Sequence, residues 1–150
     1  MKTETPQIIQ QPHFAQYDFS TLPNYYSITM VSGKPSAEDI TNYCENLDII
    51  TEWCSQNELR LGFLLINAAG SISMPYSFNI EVGKFLKRYK ASRKNTIVTG
   101  IYVFPNPMAK MVLRGISIIS DFPFSTRIVS SKDEGIREMD NELRKAGLPT

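Results

Sequence analysis

Leu61-Gly-Phe-Leu-Leu-Ile-Asn67, followed by Ala68-Ala-Gly-Ser-Ile-Ser-Met74, is the stretch that decides the fold. The first seven residues are almost all apolar, as in a strand covered on both faces. The next seven are small or polar, and a basic amphipathic helix follows them. A buried strand that runs through Gly and Ser into a helix sets its loop at the edge of a sheet, where α/β domains carry their working surface.

Upstream, His13 to Phe19 alternates bulky and polar residues, as a half-exposed strand does. Ser20 to Asn24 supplies a turn, and the aromatic and β-branched run Tyr25 to Val31 reads as a second strand pairing with the first as a hairpin. Ser32-Gly-Lys-Pro35 breaks that strand. Ser36 then opens a helix, with Asp39 completing a capping box. Ile40, Tyr43, Leu47, Ile50 and Cys54 recur at helical spacing as its inner face, while Glu38, Glu45, Asp48 and Glu52 form an acidic, solvated outer face.

Downstream, Asn95 to Phe104 is a second near-continuous apolar run and reads as a central strand. Asn106-Pro107 signals a helix start, with Met108, Met111, Val112, Gly115, Ile116 and Ile119 as its buried stripe. A last strand, Ser125 to Val129, leads to Ser131, whose capping box closes with Glu134. Ile136, Met139 and Leu143 face inward on the final helix, which Gly147 and Pro149 stop. The order β-β-α-β-α-β-α-β-α predicts one α/β domain over residues 13–147. Its sheet is mostly parallel with an antiparallel N-terminal strand, and residues 1–12 form a polar, flexible leader.

Bulk properties bound the function. A chain of 150 residues fits one domain that buries roughly 70% of its unfolded surface. A net charge of +1 gives no global attraction to nucleic acid or anionic membrane. No apolar run reaches the roughly 18 residues of a membrane span, and Met1 to Gln7 lacks the apolar core of a secretion signal. A cytoplasmic location without a transmembrane segment is the expectation. Cys44 and Cys54 lie ten positions apart in one predicted helix, about 15 Å between α-carbons, beyond the roughly 7 Å that a disulfide spans. Both read as reduced, partly buried thiols.

Catalysis finds little footing. The one histidine, His13, has no serine or cysteine placed beside it by any sequence feature. No metal-ligand spacing, phosphate-binding glycine loop or dinucleotide fingerprint is present. The chain reads as a non-enzyme with no cofactor and no metal.

Two features remain as binding candidates. Lys84, Lys87, Arg88, Lys90, Arg93 and Lys94 crowd the second half of the helix after Met74 and the turn beyond it. Cations there stabilise a helix C-terminus by about 0.3–1 kcal/mol each at most; they also suit an acidic partner or a phosphate-bearing ligand. A nucleic-acid role would want a wider basic surface, and the acidic helix counts against it. The second feature is the loop from Ala68 to Tyr76. Gly70 permits a left-handed bend, while Ser71, Ser73 and Ser77 offer hydroxyls near a helix N-terminus. Capping of free amides by Ser73 or Ser77 is the plainer explanation.

The order of elements, together with Leu64-Leu-Ile-Asn-Ala-Ala-Gly-Ser-Ile-Ser-Met-Pro-Tyr-Ser77 and the helix Gly83-Lys-Phe-Leu-Lys-Arg-Tyr89, resembles the STAS-like fold. That is the fold of bacterial anti-sigma-factor antagonists and of the divergent proteins grouped with the sporulation antagonist and Sec14-type lipid-binding domains. In those antagonists a strand-end acid precedes an Asp-Ser or Asp-Thr pair whose hydroxyl a partner kinase phosphorylates. Asn67 stands at the strand end here, and the acid of the pair is absent; Ser77 is the nearest hydroxyl in register, with Ser73 next. The α/β order with no assembled catalytic set points to a non-catalytic interaction or regulatory module that meets a protein partner through residues 68–77 and the basic 83–94 helix. The alternative is a domain that binds a lipid or an anionic metabolite. The candidate contact residues are Gly70, Ser71, Ser73, Tyr76, Ser77, Lys84, Lys87 and Arg88.

Overall fold

A computed structural model describes residues 5–68, 75–104 and 122–148. Its elements are β1 (Ala15–Asp18), β2 (Tyr25–Met30), α1 (Ala37–Gln56), β3 (Leu61–Asn67), α2 (Tyr76–Ser92), β4 (Ile97–Val103), β5 (Ser125–Val129) and α3 (Lys132–Lys145). The five strands form one sheet in the order β1-β2-β3-β4-β5. β1 pairs with β2 antiparallel, and the pairs β2–β3, β3–β4 and β4–β5 are parallel. This is the α/β class expected from the sequence, with a mixed sheet and an antiparallel first strand. The helix expected from Asn106 and Pro107 lies outside the described residues.

Strand alternation sorts side chains to two faces. Tyr26, Ile28, Met30, Phe63, Leu65 and Tyr102 point toward α1 and α2, where they join Tyr43, Leu47, Phe78, Phe85 and Tyr89 in one core. Trp53 packs half-buried against that same core. Leu64, Ile101, Val103 and Val129 point to the other face and meet Met139 and Leu143 of α3. β3 and β4 therefore carry apolar side chains on both faces, which is why their sequences lack polar alternation.

Helix ends follow local chemistry. Ser36 Oγ accepts the Asp39 N–H at 3.1 Å, and the Asp39 carboxylate accepts the Ser36 N–H at 2.9 Å, completing the capping box of α1. Ser131 Oγ accepts the Glu134 N–H at 3.2 Å, but the Glu134 carboxylate takes the Ser130 N–H at 3.3 Å instead of returning to Ser131. α3 stops at Gly147, whose φ of +79° only glycine adopts without strain; Leu148 N–H then bonds back to the Leu143 carbonyl.

Two boundaries are tighter than the sequence pattern. Phe14 and Ala15 both donate to the Gln11 carbonyl, so a turn replaces the first two residues of the expected strand from His13. Arg93 and Asn95 hold φ near +50°, a left-handed conformation that delays β4 until Ile97. Residues 5–12, expected as flexible leader, are tied down. Pro6 and Gln11 are buried, and Ile9 and Gln11 bond to α1.

Candidate functional site

β3 delivers its chain to α2 at the C-terminal edge of the parallel strands. Its last residue, Asn67, is buried opposite Met30 of β2, and the Ala68 N–H continues the ladder to the Met30 carbonyl at 2.9 Å. Gly70, Ser71 and Ser73 fall outside the described residues. α2 resumes with Pro75 as N-cap and no side-chain capping bond. Ser77 thus does not cap the helix, contrary to the plainer expectation. It sits in the first turn with its side chain exposed, because a residue already inside the helix points away from the amides an N-cap would meet. Beside it Tyr76 is 66% exposed, unusual for so large a ring.

Six cations were expected to crowd this helix and its following turn; three of them are paired. Lys84 Nζ meets Glu81 at 3.2 Å, and Arg88 Nη2 meets Asp48 of α1 at 2.9 Å. Lys94 pairs with Glu52 of α1, holding that carboxyl below its ordinary range. Asp48 and Glu52 of α1 therefore face Arg88 of α2 and Lys94 beyond it across a groove of about 380 Å3, lined also by Thr51, Phe85, Tyr89 and Ser92. Such exposed pairs add little stability because water and salt screen them, but they cancel charge. Lys87, Lys90 and Arg93 are exposed and make no ion pair among the described residues.

Beneath α2 lies an apolar cavity of about 40 Å3, walled by aromatic side chains including Tyr26, Tyr43, Phe63, Phe78 and Tyr102. Ligand pockets run to roughly 300–1,000 Å3, and this space is far smaller than those. Asn79, one turn into α2, is buried, and its Oδ1 has no hydrogen-bond partner among the described residues.

The remaining reactive groups are quiet. Cys44 and Cys54 are free and buried, and burial pushes each thiol up to about 12. Neither is a thiolate near neutral pH. His13 is 72% exposed and contacts Asp39 at 3.0 Å. The bond from the Ser36 backbone, more than the histidine, holds the Asp39 carboxyl below its ordinary range. Among the described residues no three His, Cys, Asp or Glu side chains gather as a metal site requires. No described helix is long and apolar enough to cross a membrane.

One polar centre escaped sequence reasoning. Asn46 is fully buried and joins Ile9, Gln11 and Tyr17 in a hydrogen-bonded cluster. Burial lifts the Tyr17 phenol above its ordinary range. The signal was there: Asn46 lies three residues after Tyr43 and four before Ile50, on the buried stripe itself. Comparison of the chain with family models, curated proteins and solved structures found no match.

Proposed function

We propose that this chain is a non-catalytic, cytoplasmic interaction module of STAS-like architecture, whose α2 presents its outer face to an acidic surface of a protein partner. The observation that carries the reading is Tyr76, two-thirds exposed at the start of α2, on a helix whose Lys87 and Lys90 engage no carboxylate among the described residues. An exposed aromatic ring on the same helix as uncompensated cations has the composition of an interface anchor with its steering charges. The helix dipole accounts for Lys90 in the last turn. It does not account for Tyr76 at the opposite end.

The test is recovery of partners from the native cell with a Lys87→Glu/Lys90→Glu chain. Partner recovery drops sharply while thermal stability stays within about 0.5 kcal/mol, as for ordinary surface substitutions. Equal recovery removes α2 from the proposal. Arg88→Glu is the poorer probe, because it sets like charge against Asp48 and disturbs α1–α2 packing. The parent interaction weakens with added salt, since exposed charges are screened within about 10 Å at 0.1 M.

Regulation by phosphorylation fits the same face. Ser77 is exposed beside Tyr76 and serves no cap. A phosphate there adds about −1.5 to −2 charge at a helix N-terminus, which favours anions, and changes the sign of the docking surface. Mass spectrometry of the native protein with and without phosphatase checks it: an unmodified Ser77 under all growth conditions ends this part of the reading.

A further inference from the structure

β5 ends the strand order, so one side of Ser125–Val129 has no strand beside it among the described residues. The register fixes which main-chain groups face that side. Phe104 N–H donates to the Val129 carbonyl at 2.9 Å, so in this parallel ladder Ser125, Arg127 and Val129 turn their N–H and C=O toward β4. Thr126 and Ile128 turn theirs outward, and no bond to those groups is made among the described residues. Side chains alternate as well. Val129 joins the α3 core and Arg127 Nε meets Glu142 of α3 at 3.1 Å, so Thr126 and Ile128 take the opposite face. Ile128 is 41% exposed there.

Sheets blunt an open edge with proline, lysine, a bulge or a covering segment. The β1 edge has such cover, for Gln11 bridges to Ala15 and Pro12 follows it. β5 contains no proline, lysine or glycine, and its pairing with β4 runs without a register break. Thr126, Ile128 and Val129 are β-branched, which suits a strand. Its one charge, Arg127, is met by Glu142, which also takes Lys145 at 3.5 Å. The Ser130 N–H, next in the outward series, goes to the Glu134 carboxylate at 3.3 Å. The open edge is thus confined to Thr126 and Ile128.

We infer that β5 pairs antiparallel with β5 of a second copy, across a two-fold axis at Arg127, to make one continuous sheet. That register is self-complementary. Thr126 of each copy lies opposite Ile128 of the other, so every outward N–H meets an outward C=O. Sliding the axis to Ile128 would set Thr126 against Ser130, whose N–H is already taken. Arg127 meets its mate as a non-hydrogen-bonded pair on the α3 face, each charge answered by its own Glu142. A strand of five residues buries less than the roughly 1,200 Å2 of a stable interface, so the pairing is weak and concentration-dependent. β5 shares no residue with α2, and the dimer stands whether or not α2 meets a partner.

Sedimentation velocity of the full-length chain, from micromolar to millimolar concentration, shows a monomer–dimer equilibrium. Ile128→Lys raises its dissociation constant roughly tenfold or more, as an edge lysine opposes pairing. Arg127→Cys reports the register. Its α-carbons lie about 4.5 Å apart across the axis, inside the roughly 4.4–6.8 Å of a disulfide, so mild oxidation links the copies. Ser125→Cys, roughly 14 Å from its mate, does not link. Cys44 and Cys54 are buried and take no part. A parent that stays monomeric throughout, unchanged dimerisation of Ile128→Lys, or equal linking of the two cysteine variants overturns the inference. Should the variants fail to fold, hydrogen exchange on the parent decides. The Thr126 and Ile128 amides gain protection as concentration rises, while the Arg127 amide, bonded to β4, is protected throughout. Exchange at Thr126 and Ile128 that ignores concentration ends the proposal.

Discussion

The two faces of the sheet are built differently. Toward α1 and α2 the core is aromatic, with Phe14, Tyr43 and Phe78 meeting ring to ring and Phe63 edge-on to Tyr102. Toward α3 it is aliphatic: Leu64, Ile101, Val103 and Val129 receive Met139 and Leu143. Large rigid rings meet at fixed angles and leave gaps, and this face holds both the 40 Å3 cavity and the unpaired Asn79 Oδ1. The α3 face is tight at its glycines. A Cβ on Gly62 would lie 2.1 Å from the Met139 sulfur, and one on Gly135 would lie 2.8 Å from a Val103 methyl. The aromatic face is tight in places too, since a Cβ on Gly100 would lie 2.8 Å from the Phe124 ring, so its room for addition is confined to the cavity.

Substitutions can break or sharpen this contrast. The largest effect is Met139→Ala, which empties a fully buried site against three strands and costs about 2–5 kcal/mol in chemical denaturation. A smaller loss would show that α3 settles into the vacated space. Next comes the addition of single carbons. Gly62→Ala loses about 1–3 kcal/mol through overpacking, and most of that loss vanishes when combined with Met139→Ala, because the clash is with that one side chain. Val82→Ile, facing the aromatic cavity, is neutral or gains up to about 1 kcal/mol. Equal losses from both additions would erase the distinction between the faces.

Asn79→Leu follows, with a gain of about 1 kcal/mol, since it replaces an unsatisfied buried acceptor with an apolar group of similar size. A loss instead would reveal that Asn79 is held by a polar partner. The smallest effect concerns pH. Burial raises Glu142, but the hydrogen bond from Arg127 and the charges of Lys145 and Arg127 outweigh it and hold the carboxyl below its ordinary value of 4.5. The folded state thus gains stability from ionised Glu142 that is complete above pH 4.5 and fades as pH falls through the lowered value. Arg127 is half-exposed, so solvent screens the gain. Glu142→Gln flattens the acid limb of the stability profile; an unchanged limb assigns it to other carboxylates.

What could be read from residues alone follows the range of the interactions. β3, β4 and the stripes of α1 and α3 were legible because their signals are local: continuous apolar runs, helical spacing, a capping serine, a terminal glycine. Pairings distant in sequence were hidden. Asn46 and Ile9 are 37 positions apart, and Arg88 and Asp48 are 40 apart; nothing in either neighbourhood names the other. The solvated acidic face and the basic helix therefore read as independent, although Arg88 and Lys94, two of the six cations, pair with Asp48 and Glu52 of that face. Exposure of Lys84 and Lys87 was legible from helical spacing, whereas the exposure of Tyr76, read as the end of a loop, and the engagement of Arg88 were not.

The chain contains a single tryptophan, and Trp53 packs on the aromatic core. Its indole emission is consequently a one-sided thermometer, sensitive to loosening around α1 and silent about α3. Heating followed by emission alone would register the melting of one half of the sandwich, while far-ultraviolet dichroism sums both, so coincidence of the two curves is the simplest optical sign that the faces part together.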